Sequence, residues 1–317
     1  MKINFLTVTF LSIFILTSCT TIDYIKQSSD IIKTSPDTVR STNSGPVIGI
    51  EGEEGIHKWL GIPYADPPVE KLRWKAPKNV SSWDKVYEAT SFASPCVQIQ
   101  SSLTGAGLAK PGDIVGNEDC LYLNIYAPAY IINSVPNENN KLPVMVWIHG
   151  GGNTSGMTSE YNPQKLVASQ NVIVVTISYR LGIFGWFSHP ELRNRSNGLD
   201  ASANFGLLDQ IKALEWLRNN IENFGGDKNN ITIFGESAGG QNVIALYVSP
   251  LAKGLFHRAI SQSGGITLTS IADAEDIDRD AFPLKGNYKY RHNTKKEFIN
   301  NLLNKGIILD KNCVILE

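Results

Sequence analysis

Phe224-Gly225-Gly226-Asp227-Lys228-Asn229-Asn230-Ile231-Thr232-Ile233-Phe234-Gly235-Glu236-Ser237-Ala238-Gly239-Gly240 is the stretch that decides the fold. Gly225-Gly226 is a helix stop, residues 231–234 are a β-branched and aromatic strand, and a second helix starts at Ala238. Gly-x-Ser-x-Gly sits on the junction. A sharp strand-to-helix turn strains the backbone of the serine, and glycine on both sides leaves room for it. The hydroxyl then projects from the C-terminal edge of a sheet beside a helix N-terminus. The same five letters occur in glycine-rich turns with an idle serine; the flanking strand and helix make Ser237 a nucleophile candidate.

Residues 238–247 read as a helix. Upstream, Leu207, Ile211, Leu214, Leu217 and Ile221 recur every three or four residues, a second helix with Asn204 as its cap. Strand-like runs lie at residues 47–51, 58–62, 121–127, 144–149 and 258–262. Residues 172–179, continuously apolar and β-branched, read as a strand buried on both faces. The polar insert 137–141 suggests a hairpin joining 121–127 to 144–149. Alternating strands and helices predict an α/β protein with a central, mostly parallel sheet covered on both faces. There is no internal repeat and no low-complexity block.

His149-Gly150-Gly151-Gly152 ends one of these strands. Acyl transfer creates an oxyanion, and bare glycine backbone can bring N–H donors to it without side-chain obstruction. Two of these glycines and the Ala238 N–H are the candidate oxyanion hole.

The 317 residues carry 29 Lys+Arg against 30 Asp+Glu, which excludes nucleic-acid binding as the main task because phosphate recognition needs clustered positive charge. Residues 1–18 read as a signal peptide: Lys2, then an apolar run too short to span a bilayer, then Leu16-Thr17-Ser18-Cys19. That ending resembles a bacterial lipobox, with Cys19 as the lipidated mature N-terminus. The expectation is an exported, membrane-anchored lipoprotein of the bacterial cell envelope, with residues 19–45 as a flexible tether and 46–317 as the folded domain. In an oxidising compartment Cys96 and Cys120 can pair across a moderate loop, while Cys313 stands alone. No closely spaced His/Cys set suggests a metal site, and no cofactor is implied.

The chain resembles the type B carboxylesterase/lipase family of α/β-hydrolases. The opening stretch is similar to that family's active-site signature. Glu118-Asp119-Cys120-Leu121-Tyr122-Leu123-Asn124-Ile125-Tyr126-Ala127-Pro128 is similar to its second signature, and Gly61-Ile62-Pro63-Tyr64, Leu72-Arg73-Trp74 and Asn204-Phe205-Gly206-Leu207-Leu208-Asp209-Gln210 fit further segments. The likeness runs from about residue 46 to about residue 265. It implies a small-molecule carboxylic ester as substrate and an acyl-enzyme on Ser237, with Gly151, Gly152 and Ala238 as oxyanion hole. It also implies a Cys96–Cys120 disulfide and structural ion pairs Arg73–Glu118 and Arg180–Asp209. Asn153 stands where the family usually has an aromatic residue, so the pocket wall departs from the pattern.

A serine needs a histidine to take its proton and a carboxylate to orient that histidine. In this fold they follow the serine in the order acid, then histidine. After Ser237 only His257 and His292 occur; His257 precedes a strand, and His292, before an expected helix at 295–303, is the weak candidate. The acidic stretch 273–280 reads as a solvated charge run. The sequence is therefore read as a family member incomplete at its C-terminus, its acid and histidine absent and the strand 258–262 left at an open sheet edge. The alternative is a catalytically inactive relative or a surface binding module.

Overall fold

In the computed structural model, the described residues are 34–100, 109–265 and 270–275, with the backbone of 308–310 and 313–314. In chain order the strands are β1 (Arg40–Thr42), β2 (Gly45–Ile48), β3 (Ile50–Glu51), β4 (Ile56–Pro63), β5 (Tyr87–Glu88) and β6 (Gln98–Ile99). They continue with β7 (Ile114–Val115), β8 (Tyr122–Pro128), β9 (Leu142–Ile148), β10 (Ile173–Ile177), β11 (Gly226–Glu236) and β12 (Arg258–Gln262). The helices are α1 (Gln164–Gln170), α2 (Gly182–Trp186), α3 (Pro190–Asn194), α4 (Phe205–Asn220) and α5 (Ala238–Val248).

Seven strands form the central sheet in the order β12-β11-β9-β10-β8-β4-β3. The parallel arrangement expected from the sequence holds for β12, β11, β9 and β10. On the other side, β8, β4 and β3 pair antiparallel. A short turn joins β3 to β4 and permits their antiparallel pairing, whereas the parallel strands return through helices. The expected hairpin between residues 121–127 and 144–149 is overturned: β10 lies between β8 and β9 and pairs with both. Being flanked on both sides, β10 is buried at all five positions. Its continuous apolar run is the sequence trace of that place.

The two faces of the sheet carry separate cores. One gathers Val144, Val146, Ile148, Ile173, Val175 and Ile177 against Leu214 and Leu217 of α4 and Val243 and Leu246 of α5. The other gathers Val174 and Phe234 against Val167 of α1, with Met145 and Trp147 packed on it. The alternation along β9 thus feeds both layers. α4 runs into a tight turn at Ile221–Phe224, and Gly225 at φ 88° closes it, so Gly226 already begins β11. Asn204 stands at the start of α4 without a capping bond from its side chain, which instead donates to the Ser202 carbonyl.

The expected tether of residues 19–45 is too long. Residues 34–45 fold onto the domain: β1 pairs with β2, Thr38 is fully buried, and the Arg40 guanidinium lies 5.1 Å from the Trp59 ring centre. A threonine and an arginine can be buried because Thr38 donates to Ser35 and Arg40 to two backbone carbonyls. Cys96 and Cys120 form a disulfide, Cα–Cα 5.0 Å. Arg73 grips Glu118 with two bonds of 2.6 Å. Arg180 grips Asp209 at 2.8 and 2.7 Å in full burial. Glu275, in the stretch read as a solvated charge run, is instead fixed by Arg193 and Ser188. β12 is the sheet edge among the described residues, and all five of its residues are exposed. Residues 1–18, Cys19, His292 and the helix expected at 295–303 lie outside the described residues.

Candidate active site

The register of the parallel strands assembles the site. Gly235 of β11 lies opposite Ile148 of β9, so Ser237 and the glycine triplet leave the sheet together at its C-terminal edge. Ser237 has φ 55° and ψ −119°, a conformation costly for a residue with a Cβ. Its neighbours hold it there. Its N–H donates to the Gln262 carbonyl at 2.9 Å, and its own carbonyl accepts the Gln241 N–H at 2.9 Å inside α5.

The glycines on either side are required by contact, not by mobility. A Cβ on Gly235 would sit 2.7 Å from the Ile148 carbonyl oxygen and 2.6 Å from the carbonyl carbon of Gly239. A Cβ on Gly239 would lie 2.7 Å from the His149 oxygen. Strand β9 and the first turn of α5 therefore meet backbone to backbone around the serine.

Across that contact lies the triplet. A Cβ on Gly150 would be 3.4 Å from Ser237 Cβ. Gly151 and Gly152 have φ 95° and 65°. The Gly151 carbonyl accepts the N–H groups of Thr154 and Ser155, which turns the loop back on itself. Among the described residues the N–H groups of Gly151 and Gly152 have no partner. Ala238 opens α5, where first-turn N–H groups lack intrahelical acceptors. Gly151, Gly152 and Ala238 are thus brought to one corner with Ser237.

Three described histidines are engaged elsewhere and the fourth is distant. His149 is buried, stacks on Tyr179 with ring centres 4.3 Å apart, and donates from Nδ1 to the Gly150 carbonyl at 2.9 Å. Burial lowers its pKa to about 4, against the pull of that carbonyl. His257 accepts the Ile231 N–H at Nδ1. It belongs to the opposite edge of the sheet, six residues back along β11 from Ser237, about 20 Å at strand spacing. His189 caps α3 by accepting the Glu191 N–H. His57 lies on β4, four strands from β11 and about 19 Å away across the sheet. Among the described residues no group of His, Cys, Asp and Glu could hold a metal ion.

The sequence reading passed over two residues that the structure brings to this corner. Tyr179 donates its hydroxyl to the His149 carbonyl at 2.6 Å. Burial pushes that hydroxyl well above its ordinary pKa, with the Asn242 amide pulling the other way. Asn242, 4% exposed, exchanges amide hydrogen bonds with Asn153 at 2.8 and 3.3 Å. The available signal was a polar residue inside the apolar helix α5.

A mixed sheet whose parallel half carries a strained serine at a strand-to-helix elbow, faced by a glycine triplet, defines an α/β-hydrolase. The chain belongs to the carboxylesterase family, whose model matches residues 36–306. It is similar to a para-nitrobenzyl esterase of Bacillus subtilis, 48% identical over 226 residues, covering 71% of this chain and 43% of that one. It is also similar to liver carboxylesterase 1 of Oryctolagus cuniculus, 44% identical, covering 74% of this chain and 40% of that one. Among solved structures, a thermophilic para-nitrobenzyl esterase superposes with a TM-score of 0.66 at 43% identity, covering 75% of this chain and 46% of that one. The chain spans less than half the length of these relatives.

Proposed function

We propose that the chain carries the nucleophile and oxyanion corner of a serine ester hydrolase. Ser237 Oγ attacks the carbonyl carbon of a small carboxylic ester while its proton passes to a base. The tetrahedral intermediate collapses, the alcohol leaves with that proton, and water then releases the acid from the acyl-enzyme. The N–H groups of Gly151, Gly152 and Ala238 stabilise the oxyanion, and no cofactor or metal takes part. The observation that carries this reading is the strained Ser237 at the elbow, within contact of the triplet. The relatives' names as esterases support it. None of His57, His149, His189 and His257 is placed to serve Ser237, so the base and its carboxylate belong outside the described residues.

A fluorophosphonate probe is expected to label Ser237 once per chain, with loss of labelling in Ser237→Ala and release of nitrophenol from a short-chain nitrophenyl ester. No labelling together with no turnover overturns the reading. We further propose that the mature chain is a cell-envelope lipoprotein acylated on Cys19. A fatty-acid probe fed to a bacterial host should label the wild type and not Cys19→Ser; equal labelling of both refutes it.

A further inference from the structure

Asn242 is a polar side chain buried in an apolar helix, where an aliphatic residue would pack without a desolvation penalty. Its amide is satisfied by a reciprocal pair: Nδ2 donates to Asn153 Oδ1 at 2.8 Å, and Oδ1 accepts from Asn153 Nδ2 at 3.3 Å. Asn153 is the residue immediately after the glycine triplet. It sits at φ 57°, and its carbonyl accepts the Gly182 N–H at 2.7 Å. On the other flank, the carbonyl of His149, immediately before Gly150, is held by the Tyr179 hydroxyl at 2.6 Å, and the His149 ring is stacked on Tyr179. Asn242 lies on the same helix as Ser237, five residues further on.

We propose that Asn242 is the positioning residue of the glycine loop, its amide pair with Asn153 tying the far end of Gly150–Gly152 to the helix that carries Ser237. The near end is tied by Tyr179, so the triplet is bracketed on both sides. The N–H groups of Gly151 and Gly152 are then fixed relative to Ser237 rather than free to turn toward water. The physical reason is that the loop's own bonds to the Gly151 carbonyl curl it without tying it to α5, and glycines at positive φ have wide conformational freedom. Two parallel amide bonds fix distance and orientation together. Asn153 does here, by hydrogen bonding, what a packed aromatic side chain would do by contact. The catalytic consequence rests on the hydrolase reading above; the bracket itself does not.

Oxyanion donors act more strongly on the transition state than on the bound ester, so their displacement lowers kcat rather than raising KM. In Asn242→Ala, kcat for a nitrophenyl ester and the rate of fluorophosphonate labelling are expected to fall about 10- to 100-fold, with KM within about threefold of wild type. Asn153→Ala, on the half-exposed loop side, is expected to give the same split. The double variant is expected to be no slower than Asn242→Ala alone, which already removes the whole amide pair together with the contact to the Tyr179 hydroxyl. Backbone amide exchange in a peptide spanning residues 149–156 is measured in parallel and needs no activity. About tenfold faster exchange there in either variant, with β10 unchanged, supports the bracket. If the wild type is neither labelled nor active, the hydrolase reading fails and the exchange data alone decide the bracket. Wild-type exchange in both variants overturns the proposal, as does a wild-type labelling rate in both variants of an active chain.

Discussion

Gly235→Ala tests whether the elbow is held by backbone contact. The new Cβ would meet three backbone atoms: the Gly239 carbonyl carbon at 2.6 Å, its oxygen at 2.7 Å and the Ile148 oxygen at 2.7 Å. No side-chain rotation relieves backbone contacts, and Gly235 is held between β9 and β12 with the start of α5 against it. Restoring ordinary contact requires the helix start and the strand end to separate by roughly 0.4–0.8 Å, an overpacking cost of about 3 kcal/mol. For a domain of this size that corresponds to a drop of roughly 6–12 °C in Tm. Because Ile148 leads directly into the triplet, the same opening moves the oxyanion donors from Ser237, and labelling is expected to slow by about 100-fold. Differential scanning fluorimetry and urea titration measure the first effect, and fluorophosphonate kinetics the second. Gly265→Ala is the control: among the described residues nothing lies within 4 Å of its Cβ, so the change is expected to stay within about 0.5 kcal/mol. A Gly235→Ala protein that melts within about 1 °C of wild type and labels at the wild-type rate would refute the argument that contact dictates the glycine.

Three further outcomes follow from the structure. Reducing the Cys96–Cys120 bond, whose residues are 24 apart in sequence, is expected to lower unfolding free energy by about 3 kcal/mol, read from urea midpoints with and without reductant; an unchanged midpoint contradicts it. Asp209→Asn leaves the Arg180 guanidinium buried without its counter-charge and is expected to cost about 3–5 kcal/mol. Under 1 kcal/mol by the same titration would show that the charge is solvated. His149 is held at about 4, below its ordinary 6.5, so the folded chain keeps the ring neutral while the unfolded chain protonates first as pH falls. Its contribution is complete above pH 6.5, is lost between 6.5 and about 4, and amounts to about 3 kcal/mol. Urea midpoints at pH 7.5 and pH 4 are expected to differ less in His149→Gln than in wild type by that amount; parallel pH dependences sink the assignment.

Local patterns carried much of the site. The strand–Gly-x-Ser-x-Gly–helix order predicted the elbow, because strand and helix starts leave short-range marks and only glycine tolerates the backbone contacts there. The β-branched run at 173–177 marked the strand buried on both faces. The hairpin expectation failed because adjacency in sequence was taken for adjacency in the sheet; a later strand inserted between two earlier ones, as β10 is between β8 and β9, leaves no local signal. The tether boundary failed for a similar reason. Ser, Thr, Asp and Lys read as solvated, yet Thr38 and Arg40 are buried: neighbouring carbonyls accept from them, and Gly49 and Trp59, further along the chain, bond to Thr38 and pack on Arg40.

From the sequence came the main strands of the central sheet, the helices α4 and α5, Ser237 as a candidate nucleophile and the carboxylesterase resemblance, each carried by short local patterns. The tertiary structure was needed to show which glycine touches Ser237, that His149, His189 and His257 are engaged elsewhere and that His57 lies four strands away. It alone joined Asn153 to Asn242 across 89 residues of sequence. Those facts depend on strand register and helix docking, which are set by burial summed over the whole sheet. A single amide in an apolar helix gives no sign of its partner until the sheet has brought the two segments together.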